Sequence, residues 1–460
     1  MENTTNYAVG LDLGTTKIVA IIGRYNEQNK IEILGIGKAK SLGIEGGVVN
    51  NILQTVNSIK QAVEQAENQA GLKISTVVAG IAGKHIRSLQ HSDYITRDDA
   101  EAVIDESDIN NLIGNAQKLT MLPGERIIHV LPQKFKIDGQ ENVKEPIGMA
   151  GGRVEANFHI VVGHIGSIKN IHRCIQNAGI EENLITLEPL ASAEAVLSQE
   201  EKEAGVVLVD IGGGTTDIAI FKDNIIRHTA VIPYGGNVIT NDIKEGCSII
   251  ERHAEQLKVR YGSAWPGENK ETEIVSIPGL NGRPGREISL KKLSQIVNAR
   301  VMEIIEQVFL QIKKYGHEEP SQKLIAGIVL TGGGSQLKHI RQLVEYVTGM
   351  DTRIGYPDDK LAQGSPPELK EPMYATSVGL VMEALRQDIT MTNAGSNIHP
   401  SEEKIEQNAV EAPLNNAEET TMQPPEEKPE NQAEEKSKAR FQYFDRILNS
   451  IKKLISDDLN

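Results

Sequence analysis

Two carboxylates, Asp12 and Asp210, each stand at the end of an apolar run, just before a glycine turn. The first turn is Asp12-Leu13-Gly14-Thr15-Thr16-Lys17 and the second is Asp210-Ile211-Gly212-Gly213-Gly214-Thr215-Thr216. A carboxylate there suits a core poorly. It suits a hydrated Mg²⁺ well, because that ion binds through few carboxylates plus substrate phosphates. Glycine turns after strands present backbone N–H groups and hydroxyls to an anion without side-chain obstruction. Lys17 could neutralise charge on terminal phosphates. A third turn, Thr331-Gly332-Gly333-Gly334-Ser335, precedes a predicted helix over 337–347, whose N-terminal dipole would favour an anion or a polar ligand. Taken singly, each turn is a weak signal, since glycine turns are usually just turns, and each Asp could simply cap its own turn. Gly80-Ile81-Ala82-Gly83-Lys84-His85 lacks the length and the Ser/Thr of a Walker A loop.

The elements that must position these residues are two strand pairs of the same form. Residues 7–22 and 206–221 each read as two apolar strands joined by a Gly/Thr turn. Asp12–Thr16 aligns with Asp210–Thr216 if two glycines are inserted, an internal duplication with a period near 200 residues. Helical periodicity appears over 51–71, 168–178, 290–314 and 337–347. Strands are predicted over 76–80, 127–137, 154–162, 225–232 and 327–330. This alternation predicts sheets covered by helices. Residues 86–167 break the rhythm and read as an inserted α+β module. Trp265-Pro266-Gly267 and Asn281-Gly282-Arg283-Pro284-Gly285-Arg286 punctuate a further peripheral module.

Several segments occur in one order: Asp12–Lys17, Glu188-Pro189-Leu190-Ala191-Ser192-Ala193, Asp210–Thr216, Thr331–Ser335 and Tyr374-Ala375-Thr376-Ser377-Val378-Gly379-Leu380. Together they resemble the five-motif signature of the actin, sugar-kinase and DnaK-type chaperone superfamily. The resemblance implies a two-lobed actin-like ATPase fold that binds ATP and Mg²⁺. It places Gly14, Thr15, Thr16 and Lys17 around the phosphates and lets Asp12 and Asp210 hold the metal through water. Gly212, Gly213, Gly214, Thr215 and Thr216 would cradle the far phosphates. Gly332, Gly333, Gly334 and Ser335 would meet the α-phosphate, ribose or adenine. Glu188 falls where relatives keep a polar residue that positions the attacking water. Glu255 and Lys258 share one helix face at i, i+3 and match a pair that contacts ribose and adenine in chaperone-type relatives; a surface ion pair is the plain alternative.

Within the superfamily the chain resembles the FtsA family of bacterial cell-division proteins. Ile128-His129-Val130-Leu131-Pro132-Gln133, Ile137-Asp138-Gly139, Pro146-Ile147-Gly148-Met149 and Ala254–Gly262 carry that likeness. It implies a first lobe from 1–86 and 168–197 with 380–393 returning to it, and an inserted subdomain over 87–167. The second lobe takes 198–230 and 305–379, with a peripheral subdomain over 231–304. The expected partners are the FtsZ C-terminal peptide, further copies of the chain in actin-like filaments, other division proteins and an anionic membrane. Arg283, Arg286, Lys291 and Lys292 offer positive charge for an acidic peptide. ATP turnover is expected to be weak or absent. A pilus-assembly adaptor of the PilM type and a phosphotransferase on the same scaffold are the alternatives.

Composition narrows the field. The chain has 460 residues, 39% hydrophobic and 24% charged, with 42 glycines and only 4% aromatics. That favours an α/β protein of several domains. Two cysteines, Cys174 and Cys247, exclude a disulfide framework or a cysteine zinc site, and the eleven histidines show no metal-ligand spacing. A net charge of −15 argues against nucleic-acid binding. The first residues lack the basic and apolar regions of a signal peptide. The longest apolar runs fall far short of the ~20 residues that span a bilayer.

Charge is unevenly spread. Residues 394–435 hold eleven Glu, two Lys and five Pro, the composition of a disordered acidic linker. Beyond it, Phe441, Phe444, Ile447, Leu448, Ile451, Leu454, Ile455 and Leu459 trace one helical face, flanked by Lys436, Lys438, Arg440, Arg446, Lys452 and Lys453. A basic amphipathic helix over 436–460 is expected to lie in the interface of an anionic membrane. Together with the resemblance, this predicts a peripheral protein on the cytoplasmic face of the bacterial inner membrane, at the division site.

Overall fold

Both strand pairs flanking the Asp-led turns form hairpins, and each hairpin founds a five-stranded sheet. The computed structural model describes residues 6–279, 284–315 and 323–391, with the backbone of 397–398. In the first sheet the order is Glu181–Leu187, Thr76–Ile81, Ala8–Leu13, Lys17–Tyr25, Ile31–Lys40. In the second it is Thr352–Ile354, Ile328–Thr331, Val206–Ile211, Thr216–Lys222, Ile225–Ile232. Each sheet runs two parallel strands into an antiparallel meander of three consecutive strands. The duplication seen in the two turns thus extends to strand order and direction.

Ala8–Leu13 and Val206–Ile211 are buried along their whole length, as expected of inner strands covered on both faces. Helix Ile52–Ala70 covers the first sheet with Val56, Ile59 and Val63. Asn51 caps its N-terminus by accepting from the Gln54 amide, and Gly71 ends it in the left-handed region. Helix Leu290–Lys314 covers the second sheet with Val297, Val301 and Ile305.

Helices Glu188–Val196 and Ala375–Arg386 cross between the lobes, and a third core draws Val19 and Ile21 from one sheet and Leu208 and Ala219 from the other around Ala193 and Val378. Backbone meets backbone at this crossing. A Cβ at Gly379 would lie 1.9 Å from the Ala191 carbonyl oxygen.

The inserted module is an antiparallel sheet in the order Arg87–Thr96, Arg153–His164, Glu125–Ile137, Gln140–Val143. Helix Glu106–Gln117 starts on a capping box formed by Asp105 and Asp108, and buries Leu112 and Ala116 against Phe135, Phe158 and Ile160. The peripheral module consists of helices Gly236–Cys247 and Glu251–Tyr261 and the hairpin Ile274–Ile277/Arg286–Ser289.

One expected element moves. The third glycine turn does not lead straight into an α-helix at 337. A 3₁₀ turn, Gly333–Gln336, follows it, and the α-helix spans Ile340–Thr348. His339 is the cause: its φ of 61° is left-handed, which an α-helix cannot contain. Among the described residues no helix is long and apolar enough to cross a membrane. Of the linker expected over 394–435, Asn397–Ile398 instead pair as a short strand with Thr390–Met391. The rest of it and the amphipathic helix over 436–460, with Phe441, Phe444, Ile447, Leu448, Ile451, Leu454 and Ile455, lie outside the described residues.

Candidate functional site

The two Asp-led turns meet tip to tip. A Cβ at Gly213 would come 2.4 Å from Thr16 Cγ2, and one at Gly214 would come 2.6 Å from Thr15 Oγ1. Behind these tips, Asp12 and Asp210 are almost fully buried, at 6% and 8% exposure. The start of one helix holds both. Ser377 Oγ donates to Asp12 Oδ2 at 2.6 Å, and Thr376 Oγ1 donates to Asp210 Oδ2 at 3.1 Å. Ser192 Oγ, from the crossing helix, also donates to Asp210 Oδ2 at 2.7 Å and lies 2.8 Å from Thr376 Oγ1. Thr376 and Ser377 stand in the first turn of helix Ala375–Arg386, so its positive end lies beside both carboxylates.

The electrostatics are those of a crowded anionic cleft. Burial pushes the Asp12 carboxyl above its usual range, with Lys17 and the Ser377 bond opposing. Burial likewise raises Asp210, opposed by Ser192 and Thr376 and reinforced by Asp12. Glu188 is driven well up, first by burial and then by Asp12, Asp217 and Asp210. Asp217 is pushed to about 7 by burial and by Asp210. Its Oδ2 accepts from Thr215 Oγ1 at 2.9 Å, whereas its Oδ1 is buried without a partner. Burial pulls Lys17 down to about 8 against the pull of both aspartates. Its Nζ donates to the Met373 carbonyl at 2.6 Å and stands 3.5 Å from the centre of the Tyr374 ring.

Such a cluster fits a divalent cation bound together with phosphates. Several buried carboxylates repel one another, one oxygen has no partner, and bridging hydroxyls fix their orientation. Among the described residues no three His, Cys, Asp or Glu side chains converge as a ready-made metal site. Phosphate oxygens would therefore have to complete the coordination, as Mg²⁺ commonly requires.

Asp217 yields a pH prediction. Its folded value of about 7 lies above the ordinary 3.8, so between these values the folded chain holds more protons than the unfolded one. Its contribution to stability is complete near pH 4 and is lost as pH rises through 7, by at most about 4 kcal/mol. Asp217→Asn is expected to raise the melting temperature of the ligand-free protein at pH 8 and to change it little at pH 4. Equal melting shifts at both values would contradict this account.

The other expected residues gather around the same place. Gly212 N–H closes its turn on the Thr215 carbonyl at 2.9 Å, and the Gly236 amide donates to the Gly212 carbonyl at 2.9 Å. Thr216 Oγ1 donates to the Tyr234 carbonyl at 2.8 Å. Gly332, with φ 79°, packs directly on Asp210: a Cβ there would lie 2.2 Å from its Oδ1. Gly333 is exposed, Gly334 packs on Ile211, and Ser335 Oγ turns back to the Gly332 carbonyl at 2.7 Å. Gly14 stays partly accessible in the first turn, and Thr15 Oγ1 accepts from the Gly47 amide at 3.2 Å. Glu188 sits beside a water-sized void shared with Leu13, Gly47 and Gly80.

Glu255 and Lys258 form an ion pair at 2.8 Å, and Lys258 Nζ also donates to the Gly236 carbonyl at 2.9 Å and to Thr240 Oγ1 at 2.8 Å. The pair therefore braces the helix start behind the second glycine turn. Two of the cations expected to meet an acidic peptide already have partners: Arg286 donates to the Cys247 carbonyl and Lys291 pairs with Glu271. Arg283 lies outside the described residues.

Residues the sequence reading passed over are the hydroxyls Ser192, Thr376 and Ser377, the buried Asp217, and Tyr374. Four of the five stand inside motifs already quoted, and only Asp217 does not. Asp217 directly follows Thr216, and alternation along the strand places it on the same face as Thr215.

Comparison with known proteins gives a consistent family. The family model described as cell division protein FtsA matches residues 207–379, and the model of the SHS2 domain inserted in FtsA matches residues 83–162. The chain is 40% identical to the cell division protein FtsA of Pseudomonas aeruginosa over 86% of its own length and 94% of that protein's. It is 34% identical to that of Escherichia coli K12, over 81% and 89%. Among solved structures it resembles a chain titled PilM-PilN type IV pilus biogenesis complex, with TM-score 0.59 and 14% identity over 82% of this chain and 98% of that one. At that identity the likeness concerns the fold alone.

Proposed function

This chain belongs to the FtsA family of cell division proteins, with its two-lobed actin-like fold and inserted α+β subdomain, and from that premise we propose what it does. It binds ATP with Mg²⁺ between its lobes, assembles with further copies of itself, and ties the FtsZ C-terminal peptide to the cytoplasmic face of the inner membrane. The observation that supports the nucleotide site is the tip-to-tip meeting of the turns after Asp12 and Asp210, with both carboxylates held by one helix start. Gly14, Thr15, Thr16 and Lys17 face the phosphates from the first lobe, and Gly212–Thr216 from the second. Gly332–Ser335 lie toward the nucleoside, with Glu255 and Lys258 on its far side. The ion neutralises phosphate charge. Asp12 and Asp210 orient it through water, and Glu188 holds a water near the terminal phosphate. The burial of Glu188 close to Asp12, Asp217 and Asp210 supports a place for it in this cleft.

The reading as a division protein rests on identity of 34–40% to relatives of that name along most of the chain. The pilus and phosphotransferase readings have no comparable support. Residues 436–460 supply the membrane contact through Phe441, Phe444, Ile447, Leu448, Ile451, Leu454 and Ile455. Each basic residue beside an anionic surface contributes about 1 kcal/mol. Single short helices detach readily, so firm attachment needs several tails acting at once, which self-assembly provides. Removing 441–460 is expected to reduce co-sedimentation with phosphatidylglycerol-containing vesicles by more than tenfold and to leave ATP affinity unchanged. Undiminished sedimentation would refute the membrane role.

A further inference from the structure

One face of the inserted sheet is apolar and is covered by helix Glu106–Gln117. The opposite face carries Ser88, Gln90, His129, Gln133 and His159. Strand register puts them together: Gln90 lies opposite His159, and Ser88 and His129 both lie opposite Val161. Polar side chains on an inward sheet face need partners, since unpaired buried polar groups are costly. Here the partners belong to two different parts of the molecule.

Towards the nucleotide cleft, His129 Nε2 accepts from the Leu187 amide at 3.1 Å. Leu187 is the N-cap of helix Glu188–Val196, where no side chain of the helix's own caps the start. His129 thus satisfies an amide at the foot of the helix that carries Glu188 and Ser192. Burial holds this imidazole near 4, so it is neutral and can accept at Nε2.

Towards the second lobe, the same face grips Ile225–Ile232, the edge strand of that sheet. Gln133 Nε2 reaches the Ile226 and Arg227 carbonyls at 2.9 and 3.1 Å. Ser88 Oγ donates to the Thr229 carbonyl at 3.0 Å, and His159 Nε2 lies 2.9 Å from Thr229 Oγ1. Lys144 adds a longer ionic contact to Asp223 at 3.7 Å. Individually these bonds contribute only about 1 kcal/mol. Leu131 and Val161 on the same face add apolar contact beside them.

We propose that this polar face carries the state of the nucleotide cleft into the inserted subdomain, with His129 positioning the helix of Glu188 and Gln133 holding the second lobe. Closure of the lobes changes the spacing between Leu187 and the 226–229 carbonyls. A rigid sheet bonded to both must then tilt or let go at one end. Nucleotide occupancy and subdomain orientation are therefore coupled, and the coupling is reciprocal. The inference rests on nucleotide binding at the cleft as proposed above.

The test is hydrogen–deuterium exchange of the full-length protein with and without Mg-ATP. In the wild type, ATP should slow exchange by at least threefold both in the turn peptides 12–17 and 210–216 and in the inserted strands 87–96 and 125–137. His129→Leu should keep the first effect and lose the second, and His129→Gln, whose amide oxygen can stand in for Nε2, should restore it. Gln133→Leu, which leaves the Leu187 contact intact, serves as a second uncoupling variant should His129→Leu fail to fold. Persistent protection of the inserted strands in a folded uncoupling variant would overturn the inference alone. Absence of protection in the turns of the wild type would overturn the nucleotide reading, and this inference with it.

Discussion

Asp210→Ala is expected to weaken Mg-ATP binding by roughly 30- to 150-fold, the equivalent of about 2–3 kcal/mol for one charge-assisted partner of the metal. The change should not unfold the protein. Asp210 is buried with its pKa raised by that burial and by Asp12, so its charge destabilises the ligand-free state. Ser192 and Thr376 lose an acceptor but remain 2.8 Å from each other, able to pair. The melting temperature without ligand should thus stay level or rise, as happens when a site kept for function at some cost to stability is removed. Calorimetric titration with and without Mg²⁺ separates the metal effect from the nucleotide effect. Lys17→Ala should weaken binding in both conditions. Normal affinity in both variants would overturn the site assignment.

Gly332→Ala should produce the largest loss of stability of any single methyl group in the cleft. The residue sits at φ 79°, and its new Cβ would meet Asp210 Oδ1 at 2.2 Å and the Ile211 carbonyl oxygen at 2.6 Å. With ψ 171° this backbone lies in a region essentially reserved for glycine, which costs about 1–3 kcal/mol, and overpacking against fixed backbone adds about 1–3. For a chain of this size the melting temperature should fall by roughly 2–7 °C. Gly71→Ala is the control, because Gly71 has φ 66° with nothing within 4 Å of its Cβ. With ψ 23° it is an ordinary left-handed cap, so it should show only the smaller left-handed cost of about 1–2 kcal/mol and no contact cost. Equal falls in the two variants would mean that the contact with Asp210 is looser than described.

Much of this architecture was legible in the residues. Apolar periodicity found helix Leu290–Lys314 at its observed limits and helix Ile52–Ala70 to within a residue at each end of the predicted 51–71. The repeated Asp-Gly-Thr pattern anticipated paired hairpins. What escaped has physical reasons. Strand Arg87–Thr96 has few β-branched residues and a polar inner face, because its side chains serve another part of the chain rather than an oily core. Helix Glu106–Gln117 is short and announced mainly by its Asp105/Asp108 capping box. The roles of Ser192, Thr376 and Ser377 depend on approach across 18, 166 and 365 positions of sequence. No local pattern encodes such approach. The left-handed His339 is bound through Nδ1 to Ser263 at 2.9 Å, a tertiary contact that overrode the helical pattern at 337.

The crossing at Gly379 and Ala191 sets a rule for drift in this chain. With a carbonyl oxygen where a methyl group would have to go, the two helices touch backbone to backbone with no cushion of side chains between them. Any bulkier residue at 379 would push the helix that carries Thr376 and Ser377 off the one that carries Ser192, and so disturb the hydroxyls that hold Asp12 and Asp210 without touching either turn. The seating of two carboxylates depends, in effect, on position 379 carrying a hydrogen atom and nothing larger.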